Sequence, residues 1–137
     1  MKRLASIFLT TLLFFSCEET ELSGIEGTWQ LVEVLADPGD GSGTFQPVAS
    51  NEKLQFFSNG TFISSEDLCF SDSESEPSSG VYELESGVLF INGCFLWGEA
   101  AHYNFSITEE DELIVAFPCI EPCANKYKRT LTLVSDL

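Results

Sequence analysis

The sequence predicts an all-β protein, an eight-stranded antiparallel up-and-down barrel, with a flattened β-sandwich as the alternative architecture. Three observations lead there. Short runs rich in Val, Ile, Phe, Tyr and Thr recur along the chain, separated by turn residues. Most of them alternate apolar and polar positions, the two-residue period of a strand with one wet face. No helical period of useful length follows residue 24. Eight such runs with mostly short connections suit closure into a barrel, which removes open sheet edges.

The first 16 residues read as a secretory signal peptide outside the barrel. Lys2 and Arg3 form its positive start. An apolar run from Ile7 to Phe15, broken only by Thr10 and Thr11, follows. Ser16 is the small residue before Cys17. The run is too short to span a membrane. A buried N-terminal helix is the competing reading, but charge, apolar core and small residue stand in the order of a signal. Residues 17–24 then form a polar tether, at most about 23 Å long when extended. The barrel domain is assigned to residues 25–137.

Within that domain the first run is Gly27 to Leu35, followed by a glycine-rich loop from Ala36 to Asn51. The second is Lys53 to Phe57, with Leu54 and Phe56 on one face. Asn59-Gly60 is a strong hairpin signal and leads into the third, Thr61 to Ser65. An acidic, serine-rich loop from Glu66 to Ser79 precedes the fourth, Val81 to Glu85, with Tyr82 and Leu84 on one face. Ser86-Gly87 turns it into the fifth, Val88 to Ile91. Asn92 to Ala100 is read as a loop. Asn92-Gly93 could instead turn the fifth run into a ninth strand over Cys94 to Trp97. The sixth run is Ala101 to Thr108, with Tyr103, Phe105 and Ile107 on one face. Glu109-Glu110-Asp111 turns it into the seventh, Glu112 to Phe117, where Leu113, Val115 and Phe117 align. A proline-bounded connection leads to the eighth, Ala124 to Val134, with Tyr127, Arg129, Leu131 and Leu133 on one face.

Two short patterns concern location. Leu13-Phe14-Phe15-Ser16-Cys17 resembles a bacterial lipobox, with Phe14 in place of the usual leucine. That resemblance implies a lipidated Cys17 and a mature protein anchored to a membrane, as an outer-membrane lipoprotein of the cell envelope. Two or more acyl chains give stable anchoring, at roughly 0.8 kcal/mol per buried CH₂. Glu18, Glu19 and Glu21 resemble an acidic export tag that implies display on the cell surface; an ordinary acidic tether is the alternative. Loss of the signal leaves four of the six basic residues against all 22 acidic ones, a net charge near −18. Such a charge repels nucleic acid, which is excluded as a partner.

Gly27-Thr28-Trp29 at the head of the first strand, eight meandering strands and Arg129 in the last one together resemble the lipocalin pattern, over about residues 25–134. The chain is most similar to small lipocalin-like domains of bacterial lipoproteins. The resemblance implies that Trp29 plugs the closed end, with the Arg129 cation packed on its ring. It also implies an apolar small molecule as ligand, and a small pocket at the cysteine-lined mouth of the barrel is the expected place for it. Phe56, Phe62, Tyr103, Phe105 and Val115 are the candidate ligand wall, and packed core is their bland alternative. An eight-stranded barrel is just wide enough to be filled by side chains or to hold one small ligand.

Four cysteines remain after the signal: Cys69, Cys94, Cys119 and Cys123. An even number in an exported domain argues for two disulfides, in any of three pairings. In a meander all four fall near the end opposite Trp29, which favours Cys69–Cys94 and Cys119–Cys123. A four-thiolate zinc site is the alternative, but paired C-x-x-C spacings are absent. Asp37, Asp40 and Ser42 lie in a turn-rich loop without the D-x-D-x-D-G spacing of a calcium loop. His102 lies on the wet face of the sixth run beside no nucleophile motif. A non-enzyme without cofactor is expected. Two functions remain open: a membrane-anchored binder of a small apolar molecule, or a filled barrel serving as an interaction module of the envelope.

Overall fold

Residues 24–69 and 77–130 are described by the structure, a computed structural model. The expectations for Cys17, the three glutamates after it, Leu131 and Leu133 lie outside those residues. Nine strands follow in order: β1 Gly27–Ala36, β2 Gln46–Pro47, β3 Lys53–Phe56, β4 Thr61–Ser64, β5 Ser79–Glu83, β6 Val88–Leu96, β7 Glu99–Ile107, β8 Glu112–Phe117 and β9 Cys123–Thr130. No helix occurs among the described residues.

Every pairing is antiparallel. From β3 onward each strand pairs with the next, β3 also pairs with β1, and β9 returns to β1. That last ladder, from Thr28 opposite Thr130 to Ala36 opposite Cys123, closes an eight-stranded barrel. The sheet has no free edge there, which removes the exposed ladder that invites aggregation. The two-residue β2 is an addition outside the barrel, bonded to β1 at Glu33 and Val34. It falls within the loop expected over Ala36 to Asn51, because two residues carry no period.

The turns form for local reasons. At Gly60, φ is +82°, and the Asn59 carboxamide oxygen accepts from both the amide and the hydroxyl of Thr61. The β7–β8 turn closes with the Asp111 amide donating to the Thr108 carbonyl at 3.1 Å.

Inward residues alternate along the strands. Trp29 and Leu31, Leu54 and Phe56, Leu89 and Ile91, Tyr103 and Phe105, and Leu113 and Val115 join Phe62 and Tyr127 in one buried core.

Strand ends shift by a few residues from those the sequence predicts, and two of the differences change what the residues do. Asn92–Ala100 is no loop. Strand β6 runs to Leu96 and β7 starts at Glu99, so the turn is Trp97-Gly98. Asn92-Gly93 instead marks the register break between Phe90 and Phe95, with Gly93 at φ +70°. A bulge lets one long strand continue where a turn signal would end it. Leu84 does not share the inward face of Tyr82: β5 ends at Glu83, and Leu84 is 53% exposed in the turn.

Candidate functional site

The barrel has two unlike ends. At the first, the chain enters β1 through Ile25, and the indole nitrogen of Trp29 donates to the Ile25 carbonyl at 2.8 Å. The Arg129 guanidinium carbon sits 4.1 Å from the centre of the Trp29 ring. Arg129 also donates to the carbonyls of Glu26 and Gly24 and grips Asp111 with two bonds of 2.8 and 2.9 Å. Gly27 takes φ +115°, a backbone state that a side chain disfavours. Trp29 thus fills this end, fully buried beneath the Arg129 guanidinium.

The other end is the mouth, where the connections after β1, β4, β6 and β8 gather. Two disulfides fix it. Cys69–Cys94 joins the loop after β4 to the wall of β6, with Cα atoms 5.5 Å apart. Cys119–Cys123 closes the β8–β9 connection. All four sulfurs are thereby bonded to one another, which leaves no thiolate for zinc. The first bridge spans 25 positions and the second 4, so the first restrains the unfolded chain more.

The loop after β4 folds across this opening. Leu68 is buried, its carbonyl accepts from the Tyr103 hydroxyl, and its amide donates to the Ser78 hydroxyl at 2.8 Å. The Asp67 carboxylate accepts from the Cys69 amide and the Ser78 hydroxyl. Beneath lies a cavity of about 320 Å³. Leu35, Leu68, Phe117 and Ala124 give it apolar walls, Cys119 and Cys123 its rim, and Glu52, Asp67 and Asn125 its polar side.

Glu52 is held by the Tyr127 hydroxyl, which donates to it, while the Asn125 amide donates to Tyr127 at 3.2 Å. Burial pushes the Glu52 carboxyl above the usual carboxylate range, and the nearby Glu66 charge adds to this; the Tyr127 hydroxyl bond opposes it. Burial, and then the Glu52 charge, push Tyr127 well above the ordinary phenol value. Tyr103 is raised to about 12 by burial and then by Asp67.

The raised Glu52 value has a consequence for stability. The fold favours the protonated form, so the group's contribution is fully present below its unfolded value and is lost as pH rises through the folded one. Glu52→Gln keeps an acceptor for Tyr127 and removes the charge. It is expected to raise the urea midpoint above wild type at pH 8, with the difference vanishing toward pH 4. An E52Q protein less stable than wild type at pH 8 would contradict this account.

The candidate ligand wall lies elsewhere. Phe56, Phe62, Tyr103, Phe105 and Val115 are each 8% exposed or less, and none lines the cavity. Phe56 and Phe62 stack at 5.6 Å, and Tyr103 meets Phe117 edge-on at 5.0 Å. The cavity residues Glu52 and Leu68 sit in loops, where burial leaves no periodic trace. Phe117 and Asn125 carried a periodic signal: Phe117 aligns with Leu113 and Val115 on β8, and Asn125 stands two residues before the inward Tyr127 on β9.

The remaining candidates take no part. His102 is exposed on the outer face, 6.3 Å from the Phe90 ring. The Asp37 carboxylate accepts from the amides of Gly39, Gly41 and Gly43 and so folds its own loop. Those bonds, Gly43 first, hold its carboxyl below the usual range.

No family model matches the chain, and no curated protein matches it in sequence. The architecture is that of a closed eight-stranded antiparallel barrel with one extra strand, compatible with a lipocalin-like fold.

Proposed function

We propose that this chain is a lipid-anchored protein of the bacterial cell envelope whose barrel mouth binds a small molecule without chemically transforming it. The cavity of about 320 Å³ carries the reading. It falls at the lower end of the roughly 300–1,000 Å³ typical of small-molecule sites, and it combines apolar walls with a few polar groups. The anchoring rests on residues 1–17, whose charge, apolar run and Ser16-Cys17 junction have the order of a lipoprotein signal. The acidic residues after Cys17 support an outer-membrane, surface-facing location. The tether and the described chain meet at Gly24, at the closed end, so an anchored barrel would turn its mouth away from the membrane.

The second reading, an interaction module, has its own support. Trp97 is 85% exposed and Ile120 99% exposed, and both lie on connections at the mouth. A partner protein would find apolar anchors there.

Native mass spectrometry of protein extracted from its own membrane tests both parts of the proposal. The expected species begins at Cys17, carries the mass of acyl chains and releases a small molecule on denaturation. Cys17→Ser is expected to remove the acyl mass and the incorporation of labelled palmitate. Equal labelling of the variant would refute the anchor, and an empty wild-type barrel together with a co-purified protein would favour the interaction module.

A further inference from the structure

We infer that the mouth cavity takes a small organic cation, a protonated primary amine on an apolar body, with the ammonium on Glu52 and the body against Leu68 and Phe117. The inference rests on the reading that the cavity is a binding site, and it changes the ligand class from the apolar molecule that the lipocalin resemblance implies.

The lining sets the sign. Glu52, Asp67 and Asn125 are its polar groups, and among the described residues no lysine, arginine or histidine belongs to it. The ion pairs formed by Lys126, Lys128 and Arg129 engage Glu33, Glu112 and Asp111 instead. Glu52 is oriented by a phenol, which fixes a carboxylate oxygen without neutralising it. A partly buried carboxylate with no cation in its own cavity is costly to keep ionised. A bound ammonium would remove that cost, because opposite charges close together in a low-dielectric site favour the ionised form. An anionic ligand would meet two carboxylates. A neutral apolar one would strip water from Glu52 and return nothing.

The size follows from the volume. At roughly 30 Å³ for a water-sized group, about 320 Å³ holds on the order of ten non-hydrogen atoms. The mature chain's net charge near −18 adds long-range attraction for a cation.

The test uses the full mature protein and three probes with one body and different heads: 2-phenylethylamine, 2-phenylethanol and 3-phenylpropanoate, each titrated calorimetrically at pH 7.5. A neutral fluorescent probe that matches this volume, naphthalene, reports separately whether any apolar molecule enters. The amine is expected to bind at least about tenfold more tightly than the alcohol, and the carboxylate not measurably. Glu52→Gln is expected to bring the amine down to the affinity of the alcohol and leave the alcohol unchanged. The wild-type series needs no variant, so a poorly folding E52Q protein does not remove the test. Equal affinities for amine and alcohol, or tighter binding of the carboxylate, would overturn the inference; the binding-site reading would survive if the neutral probe still entered. Failure of all four probes to bind would overturn both.

Discussion

Trp29→Ala is expected to lower stability by about 3–5 kcal/mol, the loss typical of a large aromatic removed from a packed core. A typical domain has only about 5–15 kcal/mol in all, so the variant would stand near its unfolding threshold. Trp29 is 0% exposed and its indole nitrogen bonds to the Ile25 carbonyl. Alanine would leave a void beneath the Arg129 guanidinium and take the indole donor from the Ile25 carbonyl. Arg129 would keep its bonds to Asp111, Gly24 and Glu26, so the chain end need not come loose. Its own replacement by lysine is expected to cost less, since the core stays filled, but still measurably, because an ammonium cannot stack on the ring and hold two carbonyls together. Urea unfolding measures both. The control is Trp97→Ala, a tryptophan 85% exposed, expected to stay within about 0.5 kcal/mol of wild type. Equal effects at Trp29 and Trp97 would mean that Trp29 does not plug the barrel.

The two ends of the barrel differ in how their polar groups are held. At the closed end Trp29 and Arg129 are packed on each other and their donors are bonded to backbone carbonyls and Asp111. At the mouth a carboxylate is kept in a setting that raises its proton affinity, beside a cavity, with a disulfide for a rim. Local rules of stability are commonly broken where a site needs them broken.

The closed end was the legible part. A glycine, a tryptophan and a distant arginine have fixed places in the lipocalin pattern that the sequence resembles, and alternation alone orients Leu54, Leu113 and Tyr127. The ladder between β1 and β9 follows once eight strands are counted, and the grouping of the cysteines at one end follows from the same count. The mouth was legible only in part: Leu35, Phe117, Cys123, Ala124 and Asn125 lie on strands, while Glu52, Asp67, Leu68 and Cys119 lie in loops. Glu52 and Leu68 precede or follow strands, and only the path of the loop over the opening brings them together. The β6–β7 hairpin misled for a different reason. Its turn, Trp97-Gly98, places tryptophan at φ +52°, where asparagine or glycine is the usual choice, while the usual turn pair Asn92-Gly93 lies within a bulged strand.

Gly80 hides its place in the same way, and its substitution has the second large expected effect. Ser79-Gly80 ahead of Val81 reads as the end of a loop, yet both belong to β5. Gly80 stands opposite Phe62 on one side and Ile91 on the other, buried in the ladder. A Cβ there would lie 2.0 Å from the Phe90 carbonyl oxygen and 2.6 Å from the Phe62 ring. The carbonyl cannot retreat without opening the pairing of β5 with β6. The ring cannot retreat either, since Phe62 is fully buried and stacks on Phe56, which meets Tyr82 edge-on. Gly80→Ala is therefore expected to cost about 3 kcal/mol or more, the upper end of what overpacking does. Gly93→Ala separates this from backbone preference. Gly93 takes φ +70° with nothing within 4 Å of the added atom, so alanine there meets only the left-handed penalty of about 1–2 kcal/mol. Urea midpoints should rank wild type above G93A and G93A above G80A. A G80A protein as stable as G93A would show that β5 and β6 do not approach this closely, and that the core around Phe62 has room to spare.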